Sequence, residues 1–325
     1  MDYLVQQKKN LRNTYLLVFL FLLLMATLGL VVDVLFGVFP FGTMLLIFIA
    51  LIQILAGVAS GPSLVLRSVN ARRIKEKSLE EKQLKNIVEE LTIAAGLEKV
   101  PEVYVMEDEN INAFATGFKV EKSAVCVTSG LLKHLNREET EGVVAHEISH
   151  IKNKDTLLMT TISAILGTMV LVQLFAWRSL RFLAWTGGGR SSRKKDSGVG
   201  YVLAALLILA LVATLFSLIG RISIFAVSRT REYLADAKAV ELTRNPKGLA
   251  NALRKIAKVQ KGKGKIKNAT IATAHLFISD PLKRSVNDKE GFFANLFSTH
   301  PPIHKRIALL ENVPEKIVLK ELQEG

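Results

Sequence analysis

Three residues define the chemistry to be explained: His146, Glu147 and His150, in the run His146-Glu147-Ile148-Ser149-His150. On a helix, positions i and i+4 share a face, so both imidazoles can meet one ion. Glu147 lies one step round, where its carboxylate reaches water at the ion rather than the ion itself. That division suits zinc-assisted hydrolysis: the metal brings the pKa of water toward neutrality and the glutamate takes its proton. Which bond is cut is not readable from the spacing. A catalytic zinc keeps one position open and needs a third protein ligand. No histidine follows His150 at a short spacing, but the run from Arg231 to Asp236 supplies carboxylates. Glu232 and Asp236 share a helix face, so the first can bind metal while the second steadies an imidazole. Taken alone, such a pair more often marks a solvated helix face.

The elements that must position these side chains are legible on either side of them. Asn136 with Glu139 has the form of a capping box, and the apolar Val143, Val144, Ile148 and Ile151 follow at helical spacing. That helix is expected to be able to run on into a following apolar stretch. Residues 79–95 have helical periodicity, 102–106 and 124–128 read as valine-rich strands, and 131–135 as a short helix. Downstream, helices are expected over 221–242, 246–258 and 303–311. The segment 186–200 is a Gly/Ser/basic linker, and 261–267 a basic loop.

Taken together, these segments resemble a known family. The run His146 to His150, then Ser228-Arg229-x-Arg231-Glu232-Tyr233-Leu234-Ala235-Asp236, then Ser298-Thr299-His300-Pro301-Pro302 stand in the order and spacing of the HtpX-type membrane zinc metalloproteases. These are relatives of the CAAX prenyl endopeptidase. The resemblance covers nearly the whole chain. It implies one zinc per chain, with His146, His150 and Glu232 as ligands and Glu147 as general base. It implies that Asp236 supports a ligand from behind, that His300 stabilises the oxyanion, and that Arg306 is the companion of His300. A hydrogen-bond donor opposite the zinc would stabilise charge that develops in the transition state. The segment Asn112-Ala113-Phe114-Ala115-Thr116-Gly117 also resembles a family motif, an edge strand against which an extended substrate lies. An ordinary strand and turn fits that segment as well. His134, His275 and His304 read as loop or surface residues, and Cys126 as core.

Half of the 325 residues are hydrophobic. They gather in four uncharged runs, residues 14–32, 41–66, 157–177 and 201–219, each long enough to cross about 30 Å of hydrocarbon as a helix. The formal charge is +14. Its lysines and arginines crowd beside the apolar runs, which points to anionic lipid head groups rather than nucleic acid. Lys8, Lys9 and Arg12 precede the first run and Arg67, Arg72 and Arg73 follow the second, so the N-terminus and the catalytic part are expected in the cytoplasm; the resemblance implies a multi-pass inner or plasma membrane protein of a prokaryote. The basic loop between the third and fourth runs opposes that trend if both cross. One ion cannot be bound from both faces of a bilayer, so those two runs must cross together or neither does.

The expected fold is a mainly α membrane protein with about four transmembrane helices and a small α+β zincin-like domain. Its parts are an N-terminal hairpin (1–66), a catalytic domain in two pieces (67–156 and 228–325), and a second transmembrane or re-entrant hairpin (157–227). The expected reaction is endopeptidase cleavage of membrane or misfolded polypeptides near the cytoplasmic membrane surface. A prenyl-protein protease is the nearer rival. A transporter or scaffold with an incidental metal site is the more distant one, disfavoured because the four runs hold no charge.

Overall fold

The helix that carries His146 begins where its caps require. Asn136 Oδ1 accepts from the Glu139 N–H and Glu139 Oε2 accepts from the Asn136 N–H, both at 2.9 Å, which opens the helix Arg137–Lys152. It stops at Asn153, and Lys154 takes a left-handed φ of +59°. A residue in that conformation cannot continue the i→i−4 ladder. The next helix starts afresh at Asp155, so the catalytic helix does not run on into the third apolar run as its spacing allowed.

The computed structural model describes residues 3–60, 62–187, 197–227, 229–262, 264–266, 268–270, 273–279, 281 and 301–324. In chain order the elements are α1 (Tyr3–Phe36), α2 (Phe41–Ser60), α3 (Ser63–Ser68), β1 (Arg72–Arg73), α4 (Leu79–Ala95), β2 (Glu102–Met106), β3 (Ala113–Lys119) and β4 (Lys122–Thr128). Then follow α5 (Ser129–His134), α6 (Arg137–Lys152), α7 (Asp155–Gly187), α8 (Ser197–Val227), α9 (Arg229–Thr243), α10 (Pro246–Gly262), a 3-10 turn (Ala274–Leu276), α11 (Ile303–Glu311) and α12 (Glu315–Glu324). The protein is mainly helical with one small sheet. Two compact units emerge, the first from Met1–Asn13, Ser60–Thr160 and Ile224–Gly325, the second from Thr14–Ala59 and Thr161–Ser223.

In the first unit the sheet order is β1-β2-β4-β3. The inner strands β2 and β4 are parallel, and their valines 103, 105, 125 and 127 are buried. Strand β3 lies at the edge, antiparallel to β4, with Ala113 opposite Val127 and Ala115 opposite Val125. Helix α6 packs against α4, α9, α10 and this sheet. Its Val143, Val144 and Ile148 join Leu84, Val88 and Leu253 in the core, where burial of apolar area supplies the main drive to fold. Glycine lets α6 and α10 approach closely. A Cβ on Gly142 would stand 2.6 Å from the Leu249 nitrogen, and one on Gly248 2.6 Å from the Glu138 carbonyl oxygen. Helix α6 is thus held by α4, α9, α10 and the sheet, with His146 wholly enclosed among them.

In the second unit, Asp33 caps the next helix: its carboxylate accepts from the Gly42 N–H at 2.6 Å, the Thr43 N–H at 3.0 Å and the Thr43 hydroxyl at 2.6 Å. Trp177 Nε1 donates to Thr214 Oγ1 at 3.0 Å, joining α7 to α8, and the Tyr201 hydroxyl donates to the Leu35 carbonyl. Among the described residues one helix is long and apolar enough to cross a membrane, Asn10–Phe36, with 27 residues and mean hydropathy 2.8 in its best window. The apolar stretches Phe41–Leu55 and Gly200–Leu215 are shorter.

Candidate metal centre

One turn of α6 and one turn of α9 meet at the protein's polar heart. His146 and His150, one turn apart, bring their Nε2 atoms to 3.2 Å. Glu232, on the first turn of α9, faces them with one oxygen each: Oε2 stands 3.5 Å from His146 Nε2 and Oε1 3.6 Å from His150 Nε2. Ligand atoms about 2.0–2.1 Å from a tetrahedral zinc stand roughly 3.3–3.4 Å apart, so the spacing suits such an ion. The chemistry of the donors agrees. Each imidazole commits its Nδ1–H to a carboxylate, leaving two Nε2 lone pairs and a third carboxylate turned on one point. Such a set repels itself unless a cation sits among its members. Burial opposes a proton on His146, yet the carboxylates of Asp236 and Glu232 overcome it and raise its pKa to about 9. A metal ion would be drawn in by the same field and would displace that proton.

Behind each histidine stands an orienting carboxylate. Asp236 Oδ1 lies 2.9 Å from His146 Nδ1. Arg306, fully buried on α11, grips Asp236 in a fork, Nε to Oδ2 at 2.8 Å and Nη2 to Oδ1 at 2.7 Å, and gives Nη1 to the Ile278 carbonyl at 3.0 Å. Burial would raise the Asp236 pKa, but Arg306 and His146 hold it at about 2. On the other side Asp155 Oδ2 lies 3.0 Å from His150 Nδ1. Glu147 lines the same cleft as His150 and Glu232. It is 1% exposed, and neither carboxylate oxygen has a hydrogen-bond partner of good geometry among the described residues. Burial raises its pKa above the ordinary carboxylate value, against the pull of His146 and His150. A small cleft lined by Ala115, Glu147, His150, Thr156, Glu232 and Leu276 opens on the group.

Peptidase family M48 matches residues 78–313, a span that holds both helices carrying His146, His150 and Glu232. The chain belongs to peptidase family M48. It is 42% identical over 310 residues to a protein named protease HtpX homolog from Thermoanaerobacter pseudethanolicus, covering 94% of this chain and 96% of that one. A protein of the same name from Caldanaerobacter subterraneus subsp. tengcongensis is 39% identical over 312 residues, covering 94% and 96%. Among solved structures, S. mikatae Ste24p is similar at TM-score 0.49 and 17% identity, covering 88% of this chain and 61% of that one. This M48 member is an HtpX-type metalloprotease, and its His146, His150 and Glu232 cluster fits a metal-dependent protease site.

The remaining residues singled out in the sequence fall in three places. His300 lies outside the described residues of this M48 chain, as do Ser228, Ser298 and Thr299. Arg306 stands behind the ligands, on Asp236. Asn112, Ala113 and Phe114 lie at and just before the start of edge strand β3, where the chain's own residues 277–279 run beside them. The Ile278 N–H donates to the Ala113 carbonyl at 2.9 Å, Asn112 Nδ2 donates to the Ser279 carbonyl at 3.0 Å, and the Phe114 and Phe277 rings are 4.8 Å apart. Ala115, two residues on, presents its backbone in the same outward sense and lines the cleft beside Glu147. Beyond it the Gly117 N–H is taken by Thr160 Oγ1 at 3.1 Å. Cys126 is buried within β4, and burial pushes its thiol pKa up, which leaves it unreactive. Sequence reasoning missed Asp155, although it stands only five residues after His150.

Proposed function

We propose that the chain is a membrane-inserted zinc endopeptidase in which His146, His150 and Glu232 hold the ion and Glu147 is the general base. What supports this most is the convergence of the three ligand groups, His146, His150 and Glu232, beside the buried carboxylate of Glu147. Zinc, when bound, supplies Lewis acidity that polarises a peptide carbonyl and acidifies water. Glu147 takes the proton of the attacking water and returns it to the departing amine; its raised pKa suits that exchange. Asp236 and Asp155 hold the two imidazoles with Nε2 inward. His300 donates to the oxyanion. An extended substrate lies along β3, pairing with the backbone of Ala115, and reaches Ala113 and Phe114 only by displacing residues 277–279.

The second unit is read as the membrane part. Leu23, Phe48, Phe175 and Leu211, on α1, α2, α7 and α8 in turn, are all exposed, a pattern that water disfavours and lipid tails suit. Four crossings therefore accompany a catalytic domain formed from residues 67–156 and 228–325, and the substrates are membrane or misfolded polypeptides met near the cytoplasmic surface. Cleavage of an unfolded protein by the detergent-purified chain tests the chemistry. It should stop with chelator, return with zinc, and be absent from Glu147→Gln. Cleavage that survives either change would overturn the mechanism. Reagent labelling of Ser191→Cys in a Cys126→Ala background tests the crossings, which place residue 191 outside.

A further inference from the structure

The carboxylate behind His150 is itself held from the far end of the chain. Asp155 Oδ1 accepts from Asn10 Nδ2 at 2.6 Å, while its Oδ2 faces His150 Nδ1 at 3.0 Å. The same Asn10 nitrogen donates to the Asn153 carbonyl at 2.9 Å. Asn10 is 1% exposed and Asp155 2%. Both partners of the amide are acceptors, so its orientation is decided: nitrogen must face them, and its two hydrogens are spent on them. The two acceptors flank the break between α6 and α7, where Lys154 is left-handed. A cation also stands near Asp155 Oδ1: Arg231 Nη1 is 4.0 Å away, beyond hydrogen-bond reach. Neither an aspartate nor an aliphatic residue at position 10 could make this pair of bonds.

We infer that Asn10 is a positioning residue for the metal site: its amide fixes Asp155 and, through it, the tautomer and ring plane of His150. The inference rests on the reading of His150 as a metal ligand. Carboxylates behind ligand histidines commonly tune metal affinity and activity by about 10–100-fold. A residue that sets such a carboxylate acts one step further out. Asn10 also begins the apolar stretch Asn10–Phe36 of α1, the helix read here as the first membrane anchor.

The test uses the full chain in detergent, with zinc affinity read by competition against a chelating dye, thermal midpoint recorded beside it, and kcat separated from KM on an unfolded protein. Asn10→Ala should weaken zinc binding by about 10-fold and lower kcat more than it raises KM. Asn10→Asp keeps the volume but loses the donor and sets a like charge against Asp155, so it should weaken zinc at least as much. In an Asp155→Ala background, Asn10→Ala should add nothing further, because the residue acts through that carboxylate. Wild-type zinc affinity in both Asn10 variants would overturn the inference, even if the thermal midpoint fell, because Asn10 would then be a tether of the helix break alone. An equal loss with and without Asp155 would overturn it too. A wild-type chain that binds no zinc, or His150→Ala binding as tightly as wild type, would instead break the reading on which it rests.

Discussion

The two histidines proposed as ligands sit on one helix turn, yet they are supported in opposite ways. His146 is fully enclosed, and its carboxylate Asp236 is clasped by Nε and Nη2 of Arg306, a charge-assisted fork built wholly from α9 and α11. The His150 side chain keeps 14% of its surface exposed and lines the cleft, and its carboxylate Asp155 is held at hydrogen-bond distance by a neutral amide from the N-terminus. A buried carboxylate is costly unless its charge is matched: Asp236 has Arg306 at 2.7 Å, whereas Asp155, also buried, has Arg231 only at 4.0 Å. The closed side thus carries charge that the fold must compensate. The open side carries a weaker hold and lines the cleft, where the proposed reaction would take place. Loss of a support should therefore show as instability on the His146 side and as altered metal and turnover on the His150 side.

The largest expected effect lies between the two sides and belongs to neither. Glu147→Gln should lower turnover by at least about 10²–10⁴-fold while keeping its metal, because the base is lost and the ligands remain. Next, Arg306→Met should destabilise the chain by about 3–5 kcal/mol, since it strands a buried carboxylate. Thermal unfolding should show a smaller loss for Arg231→Met, and equal losses would erase the contrast. Asp236→Asn and Asp155→Asn should each weaken zinc affinity or activity by about 10–100-fold. The first should also lower the thermal midpoint clearly, the second little. Gly142→Ala should cost about 1–3 kcal/mol by pushing α6 off α10, and it should disturb both histidines alike. At the small end, Arg137→Ala removes an exposed pair with Glu90 at 2.7 Å and should change stability by less than about 1 kcal/mol, with zinc affinity unmoved.

What the sequence disclosed of this arrangement follows the range of the interactions. The caps of α6, the periodicity of α4 and the valine runs of β2 and β4 are local, and the structure has those elements at or near the expected residues. The pairing of Glu232 and Asp236 rested on helical spacing, and the two carboxylates do face His150 and His146. Asp155 was hidden by a turn: an unbroken helix would have carried it away from the Nδ1 of His150, and the left-handed Lys154 brings it back. Asn10 was hidden by distance, 145 residues from its partner. The covering of Ala113 by Ile278 likewise joins segments that no periodicity links. The strand β1, too short to show alternation, and the terminal helix α12 were also passed over. The four-span count rested on hydropathy; one described helix meets the length and hydropathy of a crossing by itself.

Counting zinc per chain by mass spectrometry in purified His146→Ala, His150→Ala, Glu232→Ala and Glu147→Gln tests the central claim most directly. The account predicts one ion per chain in the wild type and in Glu147→Gln, and sharply reduced occupancy in the other three. Full occupancy in Glu232→Ala, or an empty Glu147→Gln, would contradict the division of labour between ligands and base.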